Sequence, residues 1–521
     1  MSPAPVLPPD EDLPPGTVID GVHVLRDLDE GYDYVVVGSG AAGAVAAYTL
    51  AEAGFAVALV EEGPWIKTRE FVPEVYPTFK RMAREAGTMM AFGRAFTPLI
   101  QGRCVGGTTV LNSAIAWRLP EDVIDLWARS FGLGSAITAK DVEPHFDALE
   151  RDLSVRPVDP AMLGRSSQLL LDHGGKVGVE ATVIHRYDGG CRGSGQCLTG
   201  CPHGAKQSMN VTYVPWALRR GVELYTSCAA ERITLRGGRA VGVVARAGGR
   251  AKVRLSARRG VILAASALQT PNLLVRSGLR GPHVGRHFQA HPGLAVAGVF
   301  DEPVHMMRGA TQGAESVALR ASRGFKPETL GMQPELAAVR VPGAGKELVR
   351  RLALYPNIAV WALQVRARAE GRVVPAPAFS GARDLVFYTP TPEDIATARG
   401  AVALLARGLF EAGAREVWPG IMGVPPVLRS PADVRLIEEA SLDASRYTFA
   451  ATHYFGTARM ARDRTRGVVG TDFRHHDAAG LFVVDSSVFP TNLGVNPQHS
   501  IMALSRLAAT RIAAGRAAFA A

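Results

Sequence analysis

The sequence predicts an α/β fold, α+β when the whole chain is counted, in which a parallel sheet is revisited from distant parts of the chain. Three observations carry this. Tyr34–Val37 is an apolar, β-branched run of the kind buried in parallel sheets, and it leads directly into glycines at 38, 40 and 43. Strand-like Val241–Val244 and Val261–Leu263 appear far downstream, the latter running into a helix-like stretch that closes at Gly278. Between 295 and 445, strand-like Ala359–Val365 and Asp384–Tyr388 precede a helix predicted over Thr391–Ala412, which opens with the capping pattern Thr-Pro-Glu-Asp.

Taken in order, residues 1–30 begin with a Pro-rich, acidic arm that lacks the basic and apolar regions of a secretory signal. No run reaches the roughly 18 apolar residues that span a bilayer, so a cytoplasmic location is expected. The chain carries 58 Lys+Arg against 48 Asp+Glu, a net +10, but the basic residues are scattered with no run of five. That is a solvated surface rather than a nucleic-acid footprint.

Gly38, Gly40 and Gly43 occupy the G-x-G-x-x-G positions of a Rossmann-like turn. The first permits the tight bend, the second lets backbone approach a pyrophosphate, and the third lets helix and strand pack closely. The good helix formers of Ala41–Ala53 end at Gly54, and the helix N-terminus would face the phosphates. A second strand, Phe55–Val60, delivers Glu61 where a carboxylate can accept from ribose hydroxyls. Gly106-Gly107-Thr108-Thr109 leads to Asn112 in a second glycine-dense loop, suited to close backbone approach to a ring system. In the helix before Gly278, Pro271 is expected near the first turn. His453 and the segment Asp485…Asn496-Pro497 supply an imidazole and an amide near the C-terminus, whereas His475 and His476 fall in a polar turn and are read as surface.

These segments together resemble the glucose–methanol–choline (GMC) oxidoreductase family, from the first glycine turn to about residue 511, including Ser266…Thr270-Pro271…Ser277-Gly278. The resemblance implies an FAD-binding domain formed by residues 31–294 and 446–521, with a Cys-rich loop at 189–205, and a sheet-containing substrate lobe at 295–445. It implies that Gly38, Gly40, Gly43 and Glu61 hold the ADP part of FAD. Gly106, Gly107, Thr108 and Asn112 would line the flavin, with Asp485 near the pyrophosphate or ribityl chain and Pro497 beside the catalytic amide. His453 and Asn496 would be the catalytic pair; His499 follows Pro497 and is not the family's pairing residue.

The expected chemistry is oxidation of an alcohol to an aldehyde or ketone, with His453 as base, Asn496 bonding the alkoxide, and hydride transfer to flavin N5. A bulky or long-chain apolar alcohol is favoured, partly because Met82…Met89-Met90-Ala-Phe92 is expected near the entrance. A lyase or photodecarboxylase on the same fold is the alternative, as is an electron-transfer flavoprotein. Cys191, Cys197 and Cys201 are spaced C-x5-C-x3-C, and the loop resembles both sugar dehydrogenases with a [3Fe-4S] cluster and long-chain alcohol oxidases without one. Their state bears on the acceptor: a separate electron-transfer protein with a cluster, O2 or a quinone without it. Cys104 and Cys228 are expected to be buried.

Overall fold

The structure is a computed structural model and describes residues 13–376 and 384–515; the Pro-rich residues 1–12 lie outside the described residues. Its main sheet is centred on Leu28–Val37, which pairs in parallel with Val57–Val60 on one side and Ala251–Leu263 on the other. The order continues through Glu223–Thr226 to Val18–Asp20 at one edge, and through Arg239–Ala247 to Cys228–Arg236 at the other. Val18–Asp20 therefore joins the sheet, so the arm expected to run to residue 30 ends well before that. Leu481–Val483 also pairs in parallel with Val261–Leu263, which brings the C-terminal segment back to the first glycine turn.

The first helix, Ala41–Glu52, is half alanine and buries most of its length. Small side chains let it lie close to the sheet and to the last helix, Gln498–Ala513, whose Ser505 hydroxyl donates to Ala42 O at 2.7 Å. The closure of the chain on itself thus rests on helix packing as well as strand pairing.

The helix Ser266–Arg276 departs from expectation: Pro271 lies in its interior, not its first turn. Proline has no N–H and leaves the carbonyl four residues earlier without its helical donor. Here that carbonyl belongs to Ala267, and the Thr457 hydroxyl donates to it at 2.7 Å.

A second, antiparallel sheet runs in the order Glu416–Trp418, Gly293–Val299, Ile358–Val365, Phe325–Thr329, Ala314–Glu315 and Thr182–Val183. The helix Pro392–Glu411 covers one face, started by the expected cap: Thr391 Oγ1 accepts from Asp394 N, and the Asp394 carboxylate accepts from Thr391 N. Gly408 permits the approach, since a Cβ there would sit 2.8 Å from the Trp361 ring. The opposite face, carrying Glu328 and Gln364, looks into the cavity described next.

Candidate active site

One cavity of about 700 Å3 lies between the glycine turn and the second sheet. Of the residues expected to bind or react, Gly38, Gly40, Glu61, Gly107, Thr108, Asn112, His453, Asp485, Asn496 and Pro497 all line it; Gly43 and Gly106 stand just behind its wall.

The cradle end is built by close backbone approach. Gly38 has φ +99°, and a Cβ there would meet Ala264 O at 2.4 Å; a Cβ on Gly43 would lie 1.8 Å from Gly38 O. Gly40 is different, because its Cβ would meet nothing nearer than Gly107 Cα at 3.9 Å, so this backbone is open to the cavity. Glu61 Oε2 accepts from Ser39 N (3.0 Å) and Ser39 Oγ (2.7 Å), and Oε1 accepts from Gly63 N (2.9 Å). Burial raises its carboxyl, against the pull of those donors. The Ser39 oxygen also accepts from Gly106 N at 3.1 Å, tying the two glycine loops together. Bare helix N–H groups, an exposed glycine backbone and a buried carboxylate at the end of the second strand fit the ADP half of a dinucleotide.

Asp485 is engaged by two chain segments. Its Oδ2 accepts from Ser266 N (2.9 Å) and Thr270 Oγ1 (2.6 Å), and its Oδ1 accepts from Ser487 N (2.8 Å). Ser266 takes φ +79° to point its N–H there. Asn112 Nδ2 donates to Gln498 Oε1 at 2.5 Å, which joins the second glycine loop to the segment of Asn496.

At the reactive end, His453 lies with Nδ1 3.2 Å from His291 Nδ1. His291 Nε2 accepts from Gly494 N at 2.9 Å, so a neutral His291 carries its proton on Nδ1 and donates it to His453. His453 Nδ1 is then the acceptor, and the proton of the neutral ring sits on Nε2. Although the ring is partly exposed, what it meets is the cavity rather than bulk water, and desolvation lowers it to about 4. His291 is pushed well below its usual range, by burial first and then by His453. Asn496 Oδ1 accepts from Lys326 Nζ at 2.7 Å. His291, Lys326, Glu315 and Glu328 were not anticipated from sequence, since none lies in a motif.

Among the other expectations, some are corrected and some are met. His475 is core, 3% exposed, and burial lowers it to about 4; it joins the interior because Arg474–Phe482 bridging folds the turn inward. His499 is buried between Phe146 and Tyr187, bonded to Glu150. Met82 and Met89 are core, with no part in the cavity wall, although Phe92 beyond them is exposed. Cys104 and Cys228 are buried as expected.

The three loop thiols do not form the ligand set a cluster requires. Cys197 Sγ accepts from Arg186 Nη2 at 3.0 Å and Cys191 Sγ from Gly193 N at 3.4 Å. Among the described residues no three His, Cys, Asp or Glu side chains group as metal ligands. Burial raises the Cys197 thiol, but Arg186 and Lys206 outweigh it and bring it to about 7. The loop is instead pinned to the cavity wall: Lys206 Nζ donates to Val110 O (2.6 Å), Asn112 O (2.9 Å) and Cys197 O (2.6 Å). Among the described residues no helix is long and apolar enough to cross a membrane.

Comparison with known proteins agrees with this geometry. Family models described as GMC oxidoreductase match residues 32–293 and 383–505. An uncharacterised GMC-type oxidoreductase of Mycobacterium tuberculosis is 37% identical over 476 residues, 91% of this chain and 74% of that one. A long-chain-alcohol oxidase of Arabidopsis thaliana is 27% identical over 515 residues, 92% of this chain and 66% of that one. In fold, the chain is similar to a variant of the formate oxidase of Aspergillus oryzae RIB40 described for its FAD modification, with TM-score 0.70, 18% identity, and 94% and 99% of the two chains covered. With motifs, cavity and family models all in agreement, the chain belongs to the GMC oxidoreductase family.

Proposed function

We propose that this protein is an FAD-dependent oxidoreductase that converts a bulky or long-chain apolar alcohol to its aldehyde or ketone. The observation that carries the reading is that His453 and Asn496, distant in sequence, line one cavity with the glycine cradle. Gly38, Gly40, Gly43 and Glu61 would hold the ADP part of FAD, and Gly106, Gly107, Thr108 and Asn112 would lie along its ring system. Bound there, FAD supplies the acceptor for a hydride from the alcohol carbon.

The chain's own groups act on the oxygen. In the tautomer set by His291, His453 offers Nε2–H to the hydroxyl oxygen, and Asn496 offers its amide N–H. Both bonds strengthen as the hydroxyl proton leaves and the oxygen gains negative charge. The role of base expected for His453 needs the opposite tautomer, with Nε2 bare, and the Gly494 N–H aimed at His291 Nε2 opposes it. Loss of the hydride must still be matched by loss of the hydroxyl proton, and His453 is the base that takes it at Nε2 in that tautomer; in the resting tautomer the ring holds the hydroxyl by hydrogen bond.

An apolar substrate is supported by the cavity mouth, where Phe96 and Val339 line the wall while 53% and 75% exposed. The long-chain-alcohol oxidase relative points the same way. The acceptor this reading assigns to the reduced flavin is O2 or a diffusible quinone. The test is an anaerobic titration of the flavin-loaded protein with long-chain primary alcohols, followed at about 450 nm, the oxidised flavin band. Bleaching is expected; a band unchanged by every alcohol class would sink the reading.

A further inference from the structure

We propose that Lys326 is a positioning residue that locks Asn496 as a hydrogen-bond donor toward the cavity, through a buried Glu315–Lys326–Glu328 triad. This rests on the functional reading above only for the identity of what the donor meets.

The triad follows from strand register. On Phe325–Thr329, alternate residues share a face, so Lys326 and Glu328 point the same way. Lys326 is paired with Gln364 and Glu328 with Ala362, while Glu315 stands directly across from Glu328. Two carboxylates in a cross-strand pair repel. Lys326 resolves this: its Nζ lies 2.5 Å from Glu315 Oε2 and 2.8 Å from Glu328 Oε2. Both carboxylates are anchored at the other oxygen as well, Glu315 by Trp117 Nε1 (2.8 Å) and Glu328 by Gln364 Nε2 (2.8 Å). Burial disfavours the ammonium, but the two carboxylates outweigh it and keep Lys326 charged.

An ammonium has three N–H donors and no acceptor. One goes to Glu328 Oε2 at 2.8 Å and one to Asn496 Oδ1 at 2.7 Å, while Glu315 Oε2 holds the ammonium as an ion pair. Held by these three contacts, fully buried and outside the cavity wall, Lys326 does not turn to a ligand. Its bond also removes the ambiguity of the amide, because only the oxygen of Asn496 can face it. Nδ2 is the end left for the cavity that Asn496 lines. A donor whose own acceptor end is held by a cation is polarised further, which strengthens the bond it gives. Charge pairing alone would explain two of the three contacts; the third is directed at the one amide of the proposed catalytic pair.

The experiment compares Lys326→Met, Asn496→Ala and the double variant as flavin-loaded proteins. Lys326→Met strands two buried carboxylates, so E315Q/K326M/E328Q, which removes all three charges, is made alongside in case the single variant does not fold. Expected are a 10- to 100-fold fall in kcat with little change in KM, no further fall when either change is added to Asn496→Ala, and, in crystals, an Asn496 amide rotated or disordered. The crystallographic arm decides the proposal even if no alcohol bleaches wild type, an outcome that would sink only the alcohol reading. An Asn496 amide unmoved in both lysine variants would overturn it, as would losses that multiply with those of Asn496→Ala.

Discussion

At the scale of single residues, the site is defined by which atoms carry protons. His453 is neutral at working pH because desolvation lowers it to about 4, and its Nε2 proton follows from the bond His291 makes to Gly494. An amide can imitate a hydrogen bond but not a base. His453→Gln and His453→Ala are therefore both expected to lose about 1000-fold in steady-state kcat. Turnover in His453→Gln kept within about 10-fold of wild type would remove the role of base. The sequence singled out His453 and Asn496, which the structure brings to one cavity, because their neighbours form a recognisable local pattern. It was silent on His291, set by Gly494 and His453, and on Lys326, whose link to Asn496 spans a long stretch of chain.

At the scale of elements, two substitutions separate crowding from backbone strain. Gly43→Ala would place a Cβ 1.8 Å from Gly38 O, so helix and turn must part; flavin content after purification is expected to fall severely. Gly54→Ala also fills a position of positive φ (+86°), but meets no atom within 4 Å, and should cost about 1 kcal/mol while leaving flavin content intact. A ratio of 450 to 280 nm absorbance near wild type in Gly43→Ala would contradict the cradle. The interior proline gives a second check. Thr457→Val leaves Ala267 O without a donor, at a cost of about 1–3 kcal/mol, and adding Pro271→Ala should restore part of it by supplying the missing N–H. Denaturant midpoints of the two variants measure this. The helix around Pro271 was anticipated, but the proline's place within it was not, because the compensating hydroxyl arrives from another part of the chain.

At the scale of the whole molecule, stability should depend on pH and on FAD. Burial holds His475 at about 4, below the 6.5 of an unfolded ring. A depressed histidine costs nothing above pH 6.5, and stability is lost as pH falls from there toward 4, since only the unfolded ring takes up the proton. For His475 alone that is roughly 2 kcal/mol by pH 5. His145 and His453 act in the same direction, whereas Glu61 and Asp485, raised by burial, act oppositely. Thermal melts should show a lower Tm at pH 5 than at pH 7, and a smaller drop in His475→Asn. Removing FAD should lower Tm at either pH, as loss of any ligand specific to the folded state does, and adding it back should reverse the change. The sequence by itself determined the α/β class, the glycine cradle, the second strand with Glu61, and the His453 and Asn496–Pro497 segments. Each of these is dictated by adjacent residues, through the φ a glycine permits or the burial a β-branched run demands. Only the tertiary structure decided that the three loop thiols do not group as metal ligands, that His475 is core, that His453 holds its proton on Nε2 at rest, and that Lys326 stands behind Asn496. Those outcomes depend on register, burial and hydrogen bonds between segments far apart in the chain, and no local pattern encodes them.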